Sequence, residues 1–301
     1  MIRFDFLEPA SLDEAISLLQ KYGDDAKVLA GGTDLLPRLK QRLSNVKYLI
    51  NIKKIPGMAG MARDPKQGLR IGSLTTMREL EKSTIIRDSY RPLWEAACAV
   101  GSVQVRNLAT VGGNLCHAAP SAETAPPLLA LEAQMSITGP SGERLVPLKD
   151  FFAGPGKNVM RKGEILKEII IPPLLPGTGG HYYKLGSRQA MDIAVVGVAS
   201  VVTMRNGICE RCRVALGAVA PTPVRAIRAE NLLQGKRLEP GTLETAAIRA
   251  VEDASPISDH RGSAEYRREM VKALTIRTVQ EAAKRAAAGT GTENQDSGFL
   301  T

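Results

Sequence analysis

Aromatic residues are scarce in this chain: phenylalanine, tryptophan and tyrosine together make up 4% of its 301 residues. Proteins that bind single-stranded nucleic acid stack the bases on aromatic side chains, so this scarcity argues against such a role despite the net charge of +9. The basic residues are dispersed, and the densest stretch, residues 266–285, is typical of the charged face of a helix. We therefore expect no nucleic-acid partner, and attribute the charge to a solvated surface or to docking on an acidic protein.

Long apolar runs and export signals are also missing. No run approaches the length of a membrane span, and residues 1–6 lack the charged start and apolar stretch of a signal peptide. Without an export signal, the four cysteines (Cys98, Cys116, Cys209 and Cys212) argue against a disulfide scaffold. We expect a cytoplasmic protein with no membrane span.

Two of these cysteines, Cys209 and Cys212, form a Cys-x-x-Cys pair. A zinc or iron–sulfur site needs about four ligands, which this pair does not supply. Residues three apart in a strand also point to opposite faces, which further disfavours chelation. We predict two structural cysteines and no metal site.

Two glycine pairs are the strongest positive signals. They lie in residues 29–35 (LAGGTDL) and 110–115 (TVGGNL), each after a short apolar run. A Gly-Gly turn lets the backbone approach a ligand closely and leaves N–H groups free to converge on a phosphate oxygen. Taken singly, each pair more often indicates an ordinary tight turn. Neither matches the Rossmann pattern or ends in the Gly-Lys-Ser/Thr of a P-loop.

The length allows two domains with cores of their own, and the pattern of elements predicts the α+β class. Helices are predicted at 12–22, 34–42, 90–100, 122–132, 225–233, 243–251 and 264–288, with another beginning at Thr76. Strands are predicted at 27–30, 48–52, 69–71, 134–138, 143–147, 165–171, 193–204 and 208–219. A Pro- and Gly-rich linker at 172–180 separates domains at 1–175 and 178–287, and 288–301 is predicted to be a disordered tail.

The two glycine segments resemble the two FAD-binding loops of the medium subunits of molybdenum hydroxylases, the family of xanthine dehydrogenase and carbon monoxide dehydrogenase. The resemblance continues through 114–120 into 125–131, through Tyr183-Lys184 with Arg188, and through 191–199. Motif order and spacing fit from about residue 2 to residue 285. The resemblance implies an FAD-binding domain of the vanillyl-alcohol-oxidase type, built from two α/β lobes, and a C-terminal sheet-and-helix domain of the carbon monoxide dehydrogenase flavoprotein type.

The resemblance also implies a function. Such a subunit carries noncovalent FAD and passes electrons between a 2Fe–2S small subunit and an acceptor such as NAD, while a large subunit holds molybdopterin. No side chain is then needed as a general acid or base, because the flavin supplies the redox chemistry. Two other readings remain open: a self-contained flavin oxidoreductase with its own organic substrate, and a nonenzymatic nucleotide-binding assembly module.

Site residues follow from the same resemblance. The expected cofactor contacts are Val28, Leu29, Ala30, Gly31, Gly32, Thr33, Asp34, Leu35, Val100, Thr110, Val111, Gly112, Gly113, Asn114, Glu123, Ile165, Leu166, Lys184 and Ile193. Glu123 stands where the family usually has aspartate, and Ile193 stands where some relatives have tyrosine near the isoalloxazine ring. Thr33 replaces the histidine that often attaches FAD covalently in related folds. Cys116-His117 could suggest a metal pair, but the relatives with a 4Fe–4S cluster carry a cysteine-rich loop that is missing here.

Overall fold

The computed structural model describes residues 3–44 and 46–289, and its first lobe is a small parallel sheet covered by helices. Its elements are β1 (Asp5–Leu7), α1 (Leu12–Tyr22), β2 (Ala26–Leu29), α2 (Leu35–Lys40) and β3 (Tyr48–Asn51), with strand order β1-β3-β2. Helix α1 begins where predicted, because the Ser11 hydroxyl accepts a hydrogen bond from the Glu14 N–H. The Glu14 carboxylate accepts from the Ala10 N–H, so only half of the predicted capping box forms.

The second lobe is an antiparallel five-stranded sheet with helices against it. Its strands are β4 (Met61–Asp64), β5 (Gly68–Gly72), β6 (Gln134–Gly139), β7 (Gly142–Pro147) and β10 (Ile165–Ile171), in the order β4-β5-β10-β6-β7. Its helices are α3 (Met77–Lys82), α4 (Thr84–Ser89), α5 (Arg91–Ala99), α6 (Val103–Arg106), α7 (Val111–His117) and α8 (Ala125–Ala130). A two-stranded hairpin, β8 (Phe152–Gly154) and β9 (Lys157–Asn158), completes the lobe. The predicted capping box at Thr76 and Glu79 forms in full.

The C-terminal domain is a four-stranded antiparallel sheet with three helices. Its elements are β11 (Thr178–Leu185), β12 (Val196–Arg205), β13 (Ile208–Gly217), β14 (Val224–Arg225), α9 (Ile227–Leu233), α10 (Pro240–Val251) and α11 (Ala264–Gly289). The predicted Asn-Gly turn joins β12 to β13, with positive φ at both Asn206 and Gly207. No helix among the described residues combines the length and apolar character that a membrane crossing requires.

The sheet of the C-terminal domain is covered on both faces. One face contributes Tyr182, Ala199 and Ala215 to the same core as the helices of the second lobe, and the other face packs on α9–α11. Strand β12 is buried along most of its length, and this explains its unbroken apolar run. The C-terminal sheet and helix α5 pack closely, since a Cβ on Gly180 would lie 2.8 Å from the ring of Pro92 at the start of α5.

Several predicted boundaries move. The linker is shorter than predicted, since β11 already begins at Thr178. The sequence does not predict this strand, because Gly179 and Gly180 lie near its start and its apolar and polar residues do not alternate. The strand predicted to begin at Ile193 begins at Val196. The last helix continues to Gly289, so residues 288 and 289 of the predicted tail belong to it, and residues 290–301 lie outside the described part of the chain.

The prediction that Cys209 and Cys212 point to opposite faces is wrong. A bulge at Glu210 shifts the register, so that Met204 pairs with Cys209 while Thr203 pairs with Arg211. The extra residue turns both thiols to the buried face, where each is fully enclosed in the C-terminal core. Both are free thiols, and no group of three potential ligands occurs anywhere in residues 3–44 and 46–289.

Candidate functional site

A cavity of about 870 Å³ lies where the two lobes and the C-terminal domain meet. Its lining contains most of the residues that the sequence singled out, although they come from distant parts of the chain. These are Val28, Ala30, Gly31, Gly32, Thr33, Asp34, Leu35, Val100, Thr110, Gly112, Gly113, Asn114, Glu123, Ile165, Leu166 and Ile193. Leu29 and Val111 are buried behind the wall, and Lys184 does not line the cavity.

The first glycine segment presents unpaired N–H groups to the cavity. It runs from the end of β2 into α2, as predicted, and the N–H groups of residues 31–35 have no partner among the residues that the structure describes. Gly32 has a φ of +77°, which turns the backbone there. Consecutive free N–H groups with this curvature form a concave anion site.

The second glycine segment differs from the expected turn, because Gly112 and Gly113 form the first turn of α7. The N–H of Gly112 donates to the Ser73 carbonyl at 2.9 Å, and the N–H of Gly113 donates to the Thr110 hydroxyl at 3.0 Å. Those of Val111 and Asn114 are also bonded within the protein. This segment therefore offers a ligand close approach and the Asn114 side chain, while the N–H groups of residues 111–114 are already bonded within the protein.

A polar side-chain contact joins the two glycine segments at the cavity. Nδ1 of His117, at the end of α7, lies 2.9 Å from a carboxylate oxygen of Asp34, at the start of α2. Asp34 stands at the N-cap position of α2, yet it makes no side-chain cap hydrogen bond there. The contact brings the side chains of the two segments together at the cavity wall.

Glu123 links the cavity wall to the C-terminal domain. Its Oε1 accepts a hydrogen bond from the Lys184 ammonium at 2.8 Å, and the two side chains are 13% and 11% exposed. The longer side chain of glutamate thus has a definite partner. Ile193 follows Asp192, whose carboxylate accepts hydrogen bonds from three N–H groups of its own segment.

Several lining residues were not foreseen. The hairpin loop before β9 brings Gly156 and Lys157 to the cavity, held by a hydrogen bond from the Gly156 N–H to the Ala118 carbonyl, and its Gly-Pro-Gly sequence could have indicated a turn. Lys27 and Arg38 line the cavity as well. Among the described residues, none of these three cations lies within ion-pair distance of a carboxylate, so the cavity favours an anion.

Cys116 also lines the cavity, with its Sγ 3.7 Å from Met160 Sδ. Burial raises the pKa of this thiol to about 12, so it stays protonated at neutral pH. The thiol is half-buried at the cavity wall, its raised pKa leaves little of the nucleophilic thiolate at neutral pH, and its neighbour His117 lies against Asp34. The Cys116-His117 pair therefore serves packing and loop geometry.

Comparison with known proteins identifies the family of this chain and its cofactor. Residues 2–174 match the family model described as the FAD binding domain in molybdopterin dehydrogenase, and residues 181–282 match the CO dehydrogenase flavoprotein C-terminal domain. The chain belongs to the FAD-binding medium subunits of the molybdenum hydroxylase family. FAD is its cofactor, and its relatives are oxidoreductase subunits, as the sequence predicted.

Individual relatives match over nearly their whole length. The chain is 36% identical to the xanthine dehydrogenase FAD-binding subunit of Escherichia coli O157:H7, covering 95% of this chain and 98% of the relative. It is 35% identical to the carbon monoxide dehydrogenase medium chain of Hydrogenophaga pseudoflava, covering 95% and 99%. A solved carbon monoxide dehydrogenase from that organism, lacking the Mo-pyranopterin moiety, gives a TM-score of 0.91 at 36% identity, covering 95% of this chain and 99% of that one.

The cavity fits FAD on its own geometry. Its volume lies toward the upper end of the 300–1,000 Å³ that is usual for ligand sites. The free N–H groups and unpaired cations suit a pyrophosphate, and the Ser73 hydroxyl, a lining group, is buried without a partner among the described residues. An orphaned hydroxyl in a cofactor wall is a site where a ligand group would complete the hydrogen bonding.

Proposed function

We propose that this chain is the electron-transfer subunit of a multi-subunit molybdenum hydroxylase. In that complex a small subunit carries 2Fe–2S clusters, a large subunit carries molybdopterin, and this chain passes electrons between the clusters and an external acceptor such as NAD. The observation that carries the proposal is the match of both domains, along nearly the whole chain, to medium subunits of such enzymes. The cytoplasmic location stays a prediction.

We assign the pyrophosphate of FAD to the first glycine segment. Among the described residues, the N–H groups from Gly31 to Leu35 have no partner and the cations Lys27, Arg38 and Lys157 have no carboxylate partner, and these groups supply the donors and the charge. The second segment supplies room, since Gly113 has no side chain between the backbone and the cavity. In this assignment the protein binds and orients, and the bound flavin supplies the capacity to take up and release electrons.

The ring end of the cofactor is assigned to the wall formed by Leu166, Glu123 and Ile193. Ile193 is 47% exposed, and Met191 beside it is 54% exposed, so the cavity opens onto an apolar rim. Exposed apolar residues at the mouth of a redox site suit contact with a partner subunit, which an electron-transfer role requires. An aliphatic residue at 193 also leaves the ring face more open than an aromatic residue would.

The test is purification of the native complex, with subunit identification and analysis for molybdenum, iron and FAD. We expect all three to co-purify with this chain, and the flavin absorbance to bleach when the complex is given its reducing substrate. Recovery of the flavin-loaded chain with no molybdenum or iron partner, together with turnover of an organic substrate by the chain alone, would overturn the proposal in favour of a self-contained oxidoreductase.

A further inference from the structure

Lys184 makes three hydrogen bonds to three separate segments of the chain. Its ammonium donates to the Ala99 carbonyl at 3.0 Å, to Glu123 Oε1 at 2.8 Å and to the Asp192 carbonyl at 2.7 Å. A lysine ammonium has three N–H donors, so all of them are used within the protein. The side chain is only 11% exposed. No donor is left to contact a cofactor.

The three acceptors share one property, since each belongs to the cavity wall or adjoins it. Ala99 precedes Val100, Asp192 precedes Ile193, and Glu123 itself lines the cavity. Lys184, on β11, stands behind the wall and does not line it. One cation of the C-terminal domain thus holds wall segments that both domains contribute.

The segment from Gly186 to Val195, here called the wall segment, depends on few other anchors. Its end is fixed by the Val195 N–H, which donates to the Leu185 carbonyl at 2.7 Å, and by the buried guanidinium of Arg267, which donates to the Val195 carbonyl at 2.7 Å. Between these ends the segment has two anchors: the Met191 N–H donates to the Gly101 carbonyl at 3.4 Å, and the Lys184 bond to the Asp192 carbonyl ties the segment to Glu123.

We infer that Lys184 is a positioning residue, which sets the wall segment and the Glu123 carboxylate for the flavin, and does not itself bind the cofactor. Loss of its ammonium leaves the Glu123 charge nearly buried and unpaired, and removes the donor to Asp192. Glu123 Oε2 has no partner among the described residues and is the oxygen available to a ligand hydroxyl. The inference rests on the placement of FAD proposed above.

The test compares Lys184→Met with the unchanged full chain, first without FAD. Hydrogen–deuterium exchange should rise across residues 186–195 in the variant, because the shorter of the two central anchors of that segment is gone. FAD affinity, measured on the chain and on its purified complex, should fall at least about tenfold. Unchanged exchange in residues 186–195 would overturn the inference, as would raised exchange with undiminished flavin affinity.

A second variant separates positioning from direct contact. Adding Glu123→Gln to Lys184→Met removes the stranded charge, so the double variant should recover part of the lost affinity. If Lys184 bound FAD directly, the double variant would bind no better than Lys184→Met, and the inference would fail. The matched control is Lys167→Met, which breaks the Lys167–Glu143 pair on the outside of the second lobe. Should no preparation bind FAD, the proposed function fails, while the exchange measurement still decides the role of Lys184.

Discussion

The glycines of the two segments are required for different physical reasons. A Cβ on Gly31 would lie 2.2 Å from the Leu108 carbonyl oxygen, and a Cβ on Gly112 would lie 2.6 Å from the Ser73 carbonyl oxygen. Gly31 and Gly112 are therefore required because another part of the backbone packs directly against them. A Cβ on Gly113 would meet only the Thr110 hydroxyl, at 2.9 Å, and otherwise faces the cavity. A side chain at Gly113, which lines the cavity, would therefore displace only that hydroxyl, the N-cap of α7, and no backbone atom.

Gly113→Val should reduce FAD retention. The added side chain overlaps space on the cavity side, and a steric cost of about 1–3 kcal/mol corresponds to roughly 10–100-fold weaker binding. Flavin content after gel filtration and the dissociation constant from flavin fluorescence provide the measurement. Gly241→Val is the matched control, because Gly241 also lies in the first turn of a helix but has open space around its Cβ. Full flavin content in the Gly113 variant would contradict the assignment.

Cys116 should be unreactive toward alkylating reagents in the folded protein. Burial places its pKa at about 12, against 9.0 for an ordinary cysteine, so its thiolate fraction at pH 8 is lower by about a thousandfold. Iodoacetamide labelling followed by peptide mass mapping gives the rate at each cysteine. The unfolded chain in urea is the control. Labelling of Cys116 in the native protein as fast as in urea would show that the thiol is not enclosed.

The elements are joined across the domain boundary by charged hydrogen bonds. Glu95 on α5 accepts from His181 and from the Tyr182 N–H of β11, and from Arg285 on α11. Burial works to raise the pKa of Glu95, but the His181 hydrogen bond, the Tyr182 N–H and the charges of His181 and Arg285 outweigh it and hold the pKa below its usual value. The packing of α5 on the C-terminal sheet therefore depends on an ionised carboxylate.

Glu95→Gln should lower the free energy of unfolding by about 3 kcal/mol at pH 7, because it breaks a nearly buried charged network. A carboxylate whose pKa is lowered in the folded protein contributes its full stabilisation at pH values above its pKa in the unfolded chain, 4.5. This contribution is lost as the pH falls through the pKa of the folded state. Urea unfolding of both proteins from pH 7 to pH 3 should thus show a difference that shrinks below about pH 4.5. The exposed Glu244→Gln on α10 is the control. A difference independent of pH would contradict the ionised network.

At the scale of the whole molecule, the two domains share one core. The C-terminal sheet packs through Tyr182, Ala199, Val201 and Ala215 onto helices of the second lobe, and the cofactor cavity is closed by Ile193 from the same domain. The two regions matched by the family models therefore do not have separate hydrophobic cores. The sheet and the cofactor wall depend on the same interface.

A chain that ends at residue 177 should not form a flavin-binding domain. It keeps both glycine segments but exposes apolar helix faces around Leu93 and Leu128, which are fully buried in the intact protein. We expect aggregation on expression, and no saturable FAD binding by any material that is recovered, as measured by gel filtration and flavin fluorescence. The full-length chain is the reference. A monomeric fragment with full-length affinity for FAD would show that the C-terminal domain is dispensable for the site.

The sequence by itself determined the elements with strong local signals and the identity of the cofactor. Caps at Ser11 and Thr76 and the Asn206-Gly207 turn act over a few residues, so their outcome can be read without the fold. Prediction from the sequence failed where the tertiary structure overrides a local rule, as at Glu210, where a bulge turns Cys209 and Cys212 to the same face of the strand. It also treated the two glycine segments as equivalent donors.

Only the tertiary structure decided which groups remain free for a ligand. The N–H groups of residues 111–114 donate to Ser73, Thr75 and Thr110, whereas those of residues 31–35 have no partner in the part of the chain that the structure describes. Likewise Lys184 finds its acceptors 85 and 61 residues away, in Ala99 and Glu123, so its donors are used up by contacts that no local pattern encodes. Hydrogen-bonding capacity is finite, and how it is divided between protein and ligand depends on neighbours that only folding brings together.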